Sequence, residues 1–346
     1  MRLINKLIYC LAVAIPVVAL AGCSGGGSGT PSGPPPEQST IVLDAVPTGD
    51  AAGIYIAEMN GYFKQQGLTV KINVINGGEF GMADLQDNKA QLVEGNYVSF
   101  ILAQIAGKFG LTPAAVKPIN IRMIANTSQM QPGNQALYVM PNSPFKTVAD
   151  LAKDHASVGI NSANNIGQVL LGSLFAADGL KMSAIKQTIA PDLPGMPALL
   201  DKGGVDAAWL PEPFGTVAEQ DYGAVPLADF DSGSLQDFPI GTIVGNTTWI
   251  QSNPNTVAAF LRAFQEGQQV ADTDRAAVEK ALAKYVPGLT PELAATMTLD
   301  TYPLVMDVPV MQRVPDAMYE FGVIKKQYQI TSMIQPEPGE ISMSQG

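Results

Sequence analysis

Two successive stretches of this chain alternate short β-branched or aliphatic runs with helix-length segments, and few folds accommodate that alternation. In the first stretch Ile41-Val42-Leu43 reads as a buried strand, and residues 54–64 as a helix stopped by Gly67. Residues 69–75 alternate as a strand does, and Asn76-Gly77-Gly78 turns the chain. A short strand over 91–94, a helix over 98–106 and strands over 119–125 and 136–140 follow. The pattern then restarts, with helices at 148–153, 166–177 and 196–202 between strands at 157–160, 184–189 and 205–208. Such alternation predicts parallel sheets in an α/β protein. Past Phe238 the chain turns mostly helical, over 255–271, 275–285, 291–299 and 308–326, and the Met, Leu and Tyr positions there read as core.

The N-terminus reads as an export signal. Arg2 and Lys6 precede an apolar run over 7–20, which Leu20-Ala21-Gly22-Cys23 closes. The run is too short for a comfortable membrane span. Leu-Ala-Gly-Cys resembles the lipobox of bacterial lipoproteins, in which the cysteine thiol is acylated, so residues 1–22 are the expected signal peptide and Cys23 the expected lipidation site. The other cysteine, Cys10, falls in the removed segment, leaving the mature domain without a disulfide. Residues 23–40 form a tether, flexible at Ser24-Gly25-Gly26-Gly27-Ser28-Gly29 and stiffer at Pro34-Pro35-Pro36.

Setting aside Arg2 and Lys6, 18 basic residues face 31 acidic ones, a net charge of −13. Phosphate binding needs a positive field, so nucleic acid is a poor partner. Catalysis also fares badly. The single histidine, His155, lies in a polar stretch, and neither a Gly-x-Ser-x-Gly elbow nor a phosphate loop occurs. Thiol chemistry and the usual zinc sites are equally unsupported. No catalytic residue, metal ligand or cofactor is therefore expected.

Ligand binding has better support. In open α/β sheets ligands sit beyond the carboxyl ends of strands. Five such junctions are small, polar or aromatic: Thr48-Gly49-Asp50, Asn76-Gly77-Gly78, Gly95-Asn96-Tyr97, Ser162-Ala163-Asn164-Asn165 and Trp209-Leu210-Pro211-Glu212. Helix N-termini there could hold an anion on free N–H groups. Alternatively, Ser162 and Asn164 are simply helix caps.

Residues 54–68 (Ile-Tyr-Ile-Ala-Glu-Met-Asn-Gly-Tyr-Phe-Lys-Gln-Gln-Gly-Leu) resemble the opening helix of periplasmic-type solute-binding proteins for nitrate, sulfonate, taurine and thiamine-precursor uptake. Ser143-Pro144-Phe145-Lys146-Thr147, Gly203-Gly204-Val205-Asp206-Ala207-Ala208 with Glu212-Pro213-Phe214, and residues 316–324 match that family in order. The resemblance implies a two-lobed periplasmic-binding-protein-like α/β fold of type II, with lobe I over 41–137 plus 237–334, lobe II over 138–236 and a tail over 335–346. Crossing strands are expected near 136–140 and 240–246. It also implies the membrane-anchored, extracytoplasmic solute-binding component of an ABC importer, a monomer serving a permease and its ATPase. The ligand positions it implies are Asp50, Asn76, Gly78, Asn96 and Tyr97 in lobe I, and Ser162, Asn164, Asn165 and Glu212 in lobe II. Trp209 either stacks on the solute or points into the core.

This chain has Asn96-Tyr97 where sulfonate and taurine binders often have a serine pair, and Pro211 where many relatives have tryptophan. No lysine or arginine falls at any junction, which argues against a small bare anion such as nitrate. A sulfonate or taurine-like zwitterion, or a pyrimidine-like solute, is expected. The alternatives are a same-fold lipoprotein with a signalling or structural role, and a pyrimidine-synthase-like enzyme.

Overall fold

A computed structural model describes residues 33–106, 119–163, 165–190 and 192–335. The expected signal peptide, Cys23, the start of the tether, Asn164 and residues 336–346 lie outside the described residues.

The apolar runs form ten strands: β1 (Thr40–Ala45), β2 (Thr69–Val74), β3 (Leu92–Asn96), β4 (Ile121–Gln129), β5 (Gln135–Val139), β6 (Ser157–Ile160), β7 (Lys186–Ile189), β8 (Ala207–Pro211), β9 (Val225–Asp229) and β10 (Pro239–Asn246). They make two five-stranded sheets, ordered β2-β1-β3-β10-β4 and β7-β6-β8-β5-β9. The chain passes between the lobes over 130–134 and again over 230–238.

The sheets are mixed rather than parallel. β1 runs parallel to β2 and β3, and β6 to β7 and β8. β10 lies antiparallel to β3 and β4, and β5 antiparallel to β8 and β9. Both exceptions enter their sheet from the other lobe without a crossover helix, so the constraint that makes a βαβ pair parallel does not act on them. β9 was not legible as a strand because it is a half-exposed edge carrying Pro226, a residue that only an edge tolerates.

The late helices complete lobe I. Pro254–Thr273 packs on Ala52–Met59, where Gly267 approaches so closely that an added Cβ would lie 2.2 Å from the Gly53 carbonyl oxygen. Phe260 stacks between Phe63 (centroids 5.2 Å) and Phe264 (6.2 Å), and Tyr55 stacks on Tyr285 at 4.6 Å. The helix expected over 291–299 ends at Ala294, and Thr296 Oγ1 donates to the Leu293 carbonyl that a continuing helix would use. The last helix, Val308–Glu320, gives way to Gly322 at φ +74°, a left-handed conformation suited to glycine. At the other end Glu37 accepts from the Asn255 and Thr256 backbone N–H groups at 3.0 and 2.8 Å, fastening the tether's end to the start of Pro254–Thr273.

Candidate ligand-binding cleft

Because β1, β2, β3, β6 and β8 all end at the same seam, the five loop junctions meet between the lobes. Hydrogen bonds cross it among the described residues. Asn96 Nδ2 donates to Asn165 Oδ1 at 3.3 Å, and Asn165 Nδ2 to Glu79 Oε2 at 3.5 Å. Asn161 Nδ2 donates to the Asn76 carbonyl at 2.9 Å, and the Leu193 N–H to Asn76 Oδ1 at 2.8 Å. Nearer the crossing segments the Gly49 N–H reaches the Glu212 carbonyl at 3.4 Å. The lobes thus stand closed around a cavity of about 20 Å³, near the room one water needs. An organic solute would have to part these bonds.

Asp50, Asn96, Asn165 and Trp209, all singled out from sequence, line this cavity. Asn76 closes its mouth through the bonds to Asn161 and Leu193. Gly78 lies just behind: a Cβ on Gly95 would stand 2.6 Å from Gly78 Cα, so the pair lets the helix Gly78–Gln86 abut β3. Tyr97 is fully buried and donates its hydroxyl to Asn126 Oδ1, and Ser162 Oγ accepts from Asn165 Nδ2 at 3.3 Å. The Glu212 carboxylate turns away from the cavity, accepting from the Thr216 N–H at 3.1 Å and its hydroxyl at 2.9 Å. Trp209 is buried with its ring edge on the lining, while Nε1 donates to Gln135 Oε1 at 2.9 Å.

Thr48, inside a picked junction, also lines the cavity, whereas sequence reasoning missed Gln135 and Asn161 on the lining and Glu79 behind it. Asn161 flanks the junction that opens at Ser162. Gln135 opens β5 directly after a lobe crossing, and nothing local marks it.

The electrostatics are one-sided. Asp50 accepts from the Ser128 and Thr48 hydroxyls, the latter at 2.6 Å, yet burial pushes its carboxyl up. Burial and then the Asp50 charge raise Glu94 well above the usual carboxylate range. Asp300 is raised likewise by burial and by the charges of Asp50 and Glu212. Burial holds Glu212 up to about 7. Among the described residues, no lysine or arginine lines the cavity. The helix Ile166–Ala177 starts at Asn165 without a side-chain cap, and the Glu79 carboxylate from lobe I lies against that start through Asn165. The place expected to hold a ligand anion is already faced by the Glu79 carboxyl, which burial pushes up.

His155 is exposed, at φ +52°, beyond the end of the helix Val148–Lys153. Among the described residues no cluster of three His, Cys, Asp or Glu side chains forms a metal site, and no helix is long and apolar enough to cross a membrane.

A comparison with curated proteins finds no match. Among solved structures, the fold is similar to the alkanesulfonate-binding protein SsuA of Xanthomonas axonopodis pv. citri, solved bound to MOPS. That likeness has a TM-score of 0.70 at 18% identity and covers 86% of this chain and 99% of the other. The periplasmic aliphatic sulphonate-binding protein SsuA of Escherichia coli matches with a TM-score of 0.65 at 20% identity, over 87% and 93% of the two chains. The desulfurization enzyme DszB shares the fold too, at a TM-score of 0.62 and 15% identity, over 87% and 97%. The two-sheet, two-lobe architecture is thus the periplasmic-binding-protein fold. The profile of the NMT1-like family matches residues 34–286, most of the described chain, and the chain belongs to that family.

Proposed function

We propose that this protein is the solute-binding component of an ABC importer, held outside the cytoplasm by a lipid on Cys23 and capturing a small organic solute between its lobes. One observation carries the reading: the strand-end junctions of both lobes converge on one seam, where hydrogen bonds join side chains and backbone of lobe I to lobe II. A solute touching both lobes would replace those bonds and bias a hinge closure, the form a permease recognises. Asn96, Asn165, Asp50 and Trp209 are the contacts, with Asn76 at the mouth. Of the solutes expected from sequence, those with N–H donors, a taurine-like zwitterion or a pyrimidine-like ring, suit this lining better than a bare sulfonate. The tether would span about 20–30 Å, enough to keep the receptor beside a permease in the same membrane.

Native mass spectrometry of the chain from Ser24 onward, followed by thermal denaturation with a solute panel, tests the proposal. A true solute at 100 times its dissociation constant adds about 2.7 kcal/mol of stability. If nothing co-purifies and no solute stabilises the protein, a signalling or structural lipoprotein on the same fold becomes the better reading. An enzyme on this scaffold has the fold likeness to the desulfurization enzyme behind it, whereas His155 lies away from the cavity lining.

A further inference from the structure

The cavity wall is uneven in what it offers a solute. Five lining side chains each give a hydrogen to a protein acceptor, and the Asn96 and Asn161 amides each hold a second N–H. Thr48 Oγ1 goes to Asp50, Asn96 Nδ2 to Asn165 and Asn161 Nδ2 to the Asn76 carbonyl. Asn165 Nδ2 goes to Ser162 and Glu79, and Trp209 Nε1 to Gln135. Acceptors remain. Asn161 is 2% exposed and lines the cavity from lobe II, and its Oδ1 has no partner. Its amide orientation is fixed, because flipping it would set oxygen against the Asn76 carbonyl oxygen. From lobe I, Asp50 brings the one ionisable side chain of the lining, with a carboxylate whose two hydroxyl partners leave lone pairs unused. Among the described residues, Ile166–Ala177 and Gly78–Gln86 both start uncapped at the seam, and Glu79 already faces the first.

Resting on the solute-receptor reading, we infer that the captured solute is a small organic cation rich in N–H donors, an amidinium, guanidinium or primary ammonium compound. It bridges Asp50 of lobe I and Asn161 Oδ1 of lobe II. A cation supplies the charge that the buried acidic wall lacks and satisfies the orphaned amide oxygen. A sulfonate would leave Asp50 and Asn161 Oδ1 unpaired and add like-charge repulsion.

Guanidinium, urea and nitrate share one planar shape and differ in charge, so they isolate the point at issue. The chain has two tryptophans, and they give a site-specific signal: the Trp209 indole lines the cavity, whereas the Trp249 indole bonds to Gln38. Titrating each probe at low millimolar concentration and fixed ionic strength, the Trp209 indole N–H resonance should move with guanidinium and hold still with nitrate, Trp249 being unchanged. Agmatine should bind at least about tenfold more tightly than ethanesulfonate, about 1.4 kcal/mol. Asp50→Asn should erase the preference for guanidinium over urea. If that variant does not fold, the three isosteric probes on the unaltered chain decide the matter alone. Tighter binding of nitrate or ethanesulfonate overturns the cationic assignment and leaves the receptor reading standing. No Trp209 response to guanidinium or agmatine overturns the cationic assignment, while the receptor reading falls only if nothing co-purifies and no solute stabilises the protein.

Discussion

Glu212 makes the stability of this protein fall as pH rises through neutrality. Its side chain is 6% exposed, and burial holds its carboxyl up from 4.5 to about 7. In the unfolded chain the group ionises near its ordinary value. Between pH 4.5 and 7 the native state therefore keeps a proton that the unfolded state has lost. By linkage, stability contributed by this group is complete below pH 4.5 and is lost as pH climbs through 7. At 1.36 kcal/mol per pH unit the loss is about 3 kcal/mol, with no discount for solvent screening at this burial. Asp44, held up to about 6 mainly by burial, acts in the same direction, as do the raised carboxyls of Asp50, Glu94 and Asp300. Glu212→Gln isolates the one residue, since its amide oxygen still accepts from the Thr216 N–H and the Thr216 hydroxyl turns to accept from the new NH₂. Urea unfolding at pH 5, 6, 7 and 8 measures both proteins. The wild type should lose stability over this range, and the variant should lose about 2.5 kcal/mol less. A wild-type profile that is flat or rises with pH refutes the reasoning, as does a variant with the same slope.

Three further outcomes follow from local geometry. Asn165→Ala strands Asn96 Nδ2 and removes a partner of Glu79, costing the closed form about 1–3 kcal/mol; small-angle scattering should record a larger radius of gyration, and unchanged dimensions count against the seam bonds. In Gly95→Ala the new methyl would sit 2.6 Å from Gly78 Cα, a backbone atom that cannot swing away. Melting should report a loss of about 1–3 kcal/mol, and an unaltered melting temperature contradicts the close approach. Glu37→Ala frees two N–H groups at the start of Pro254–Thr273 and should cost about 1 kcal/mol without changing solute affinity. A change in affinity instead would couple the tether to the cleft.

The lobes' main elements were legible because their burial pattern repeats along the chain. The helices Val148–Lys153, Ile166–Ala177 and Arg275–Tyr285 stand at their expected bounds. The capping Thr147, whose side chain accepts from the Asp150 N–H at 3.2 Å, explains why the first is so sharply bounded. Junctions at strand ends were legible for a related reason: a parallel strand must end in a loop that reverses into a helix, and small polar residues mark it. Strand direction was not. β5 and β10 read locally like any other strand, and only the lobe crossings that precede them make them antiparallel.

The sequence by itself determined the α/β class and the acidic, lysine-free character of the junctions, since these depend on periodicity and residue type, while the two-lobed division came from the family resemblance. It could not say which polar atoms are already spent. Whether Asn161 Oδ1 is free, Glu79 faces a helix start or Tyr97 serves the interior depends on residues far apart in the chain. Asn161 meets Asn76 across 85 positions and Asn165 meets Glu79 across 86. Hydrogen bonding is a matter of ångströms and angles between such groups, and only the closure of one lobe upon the other sets them.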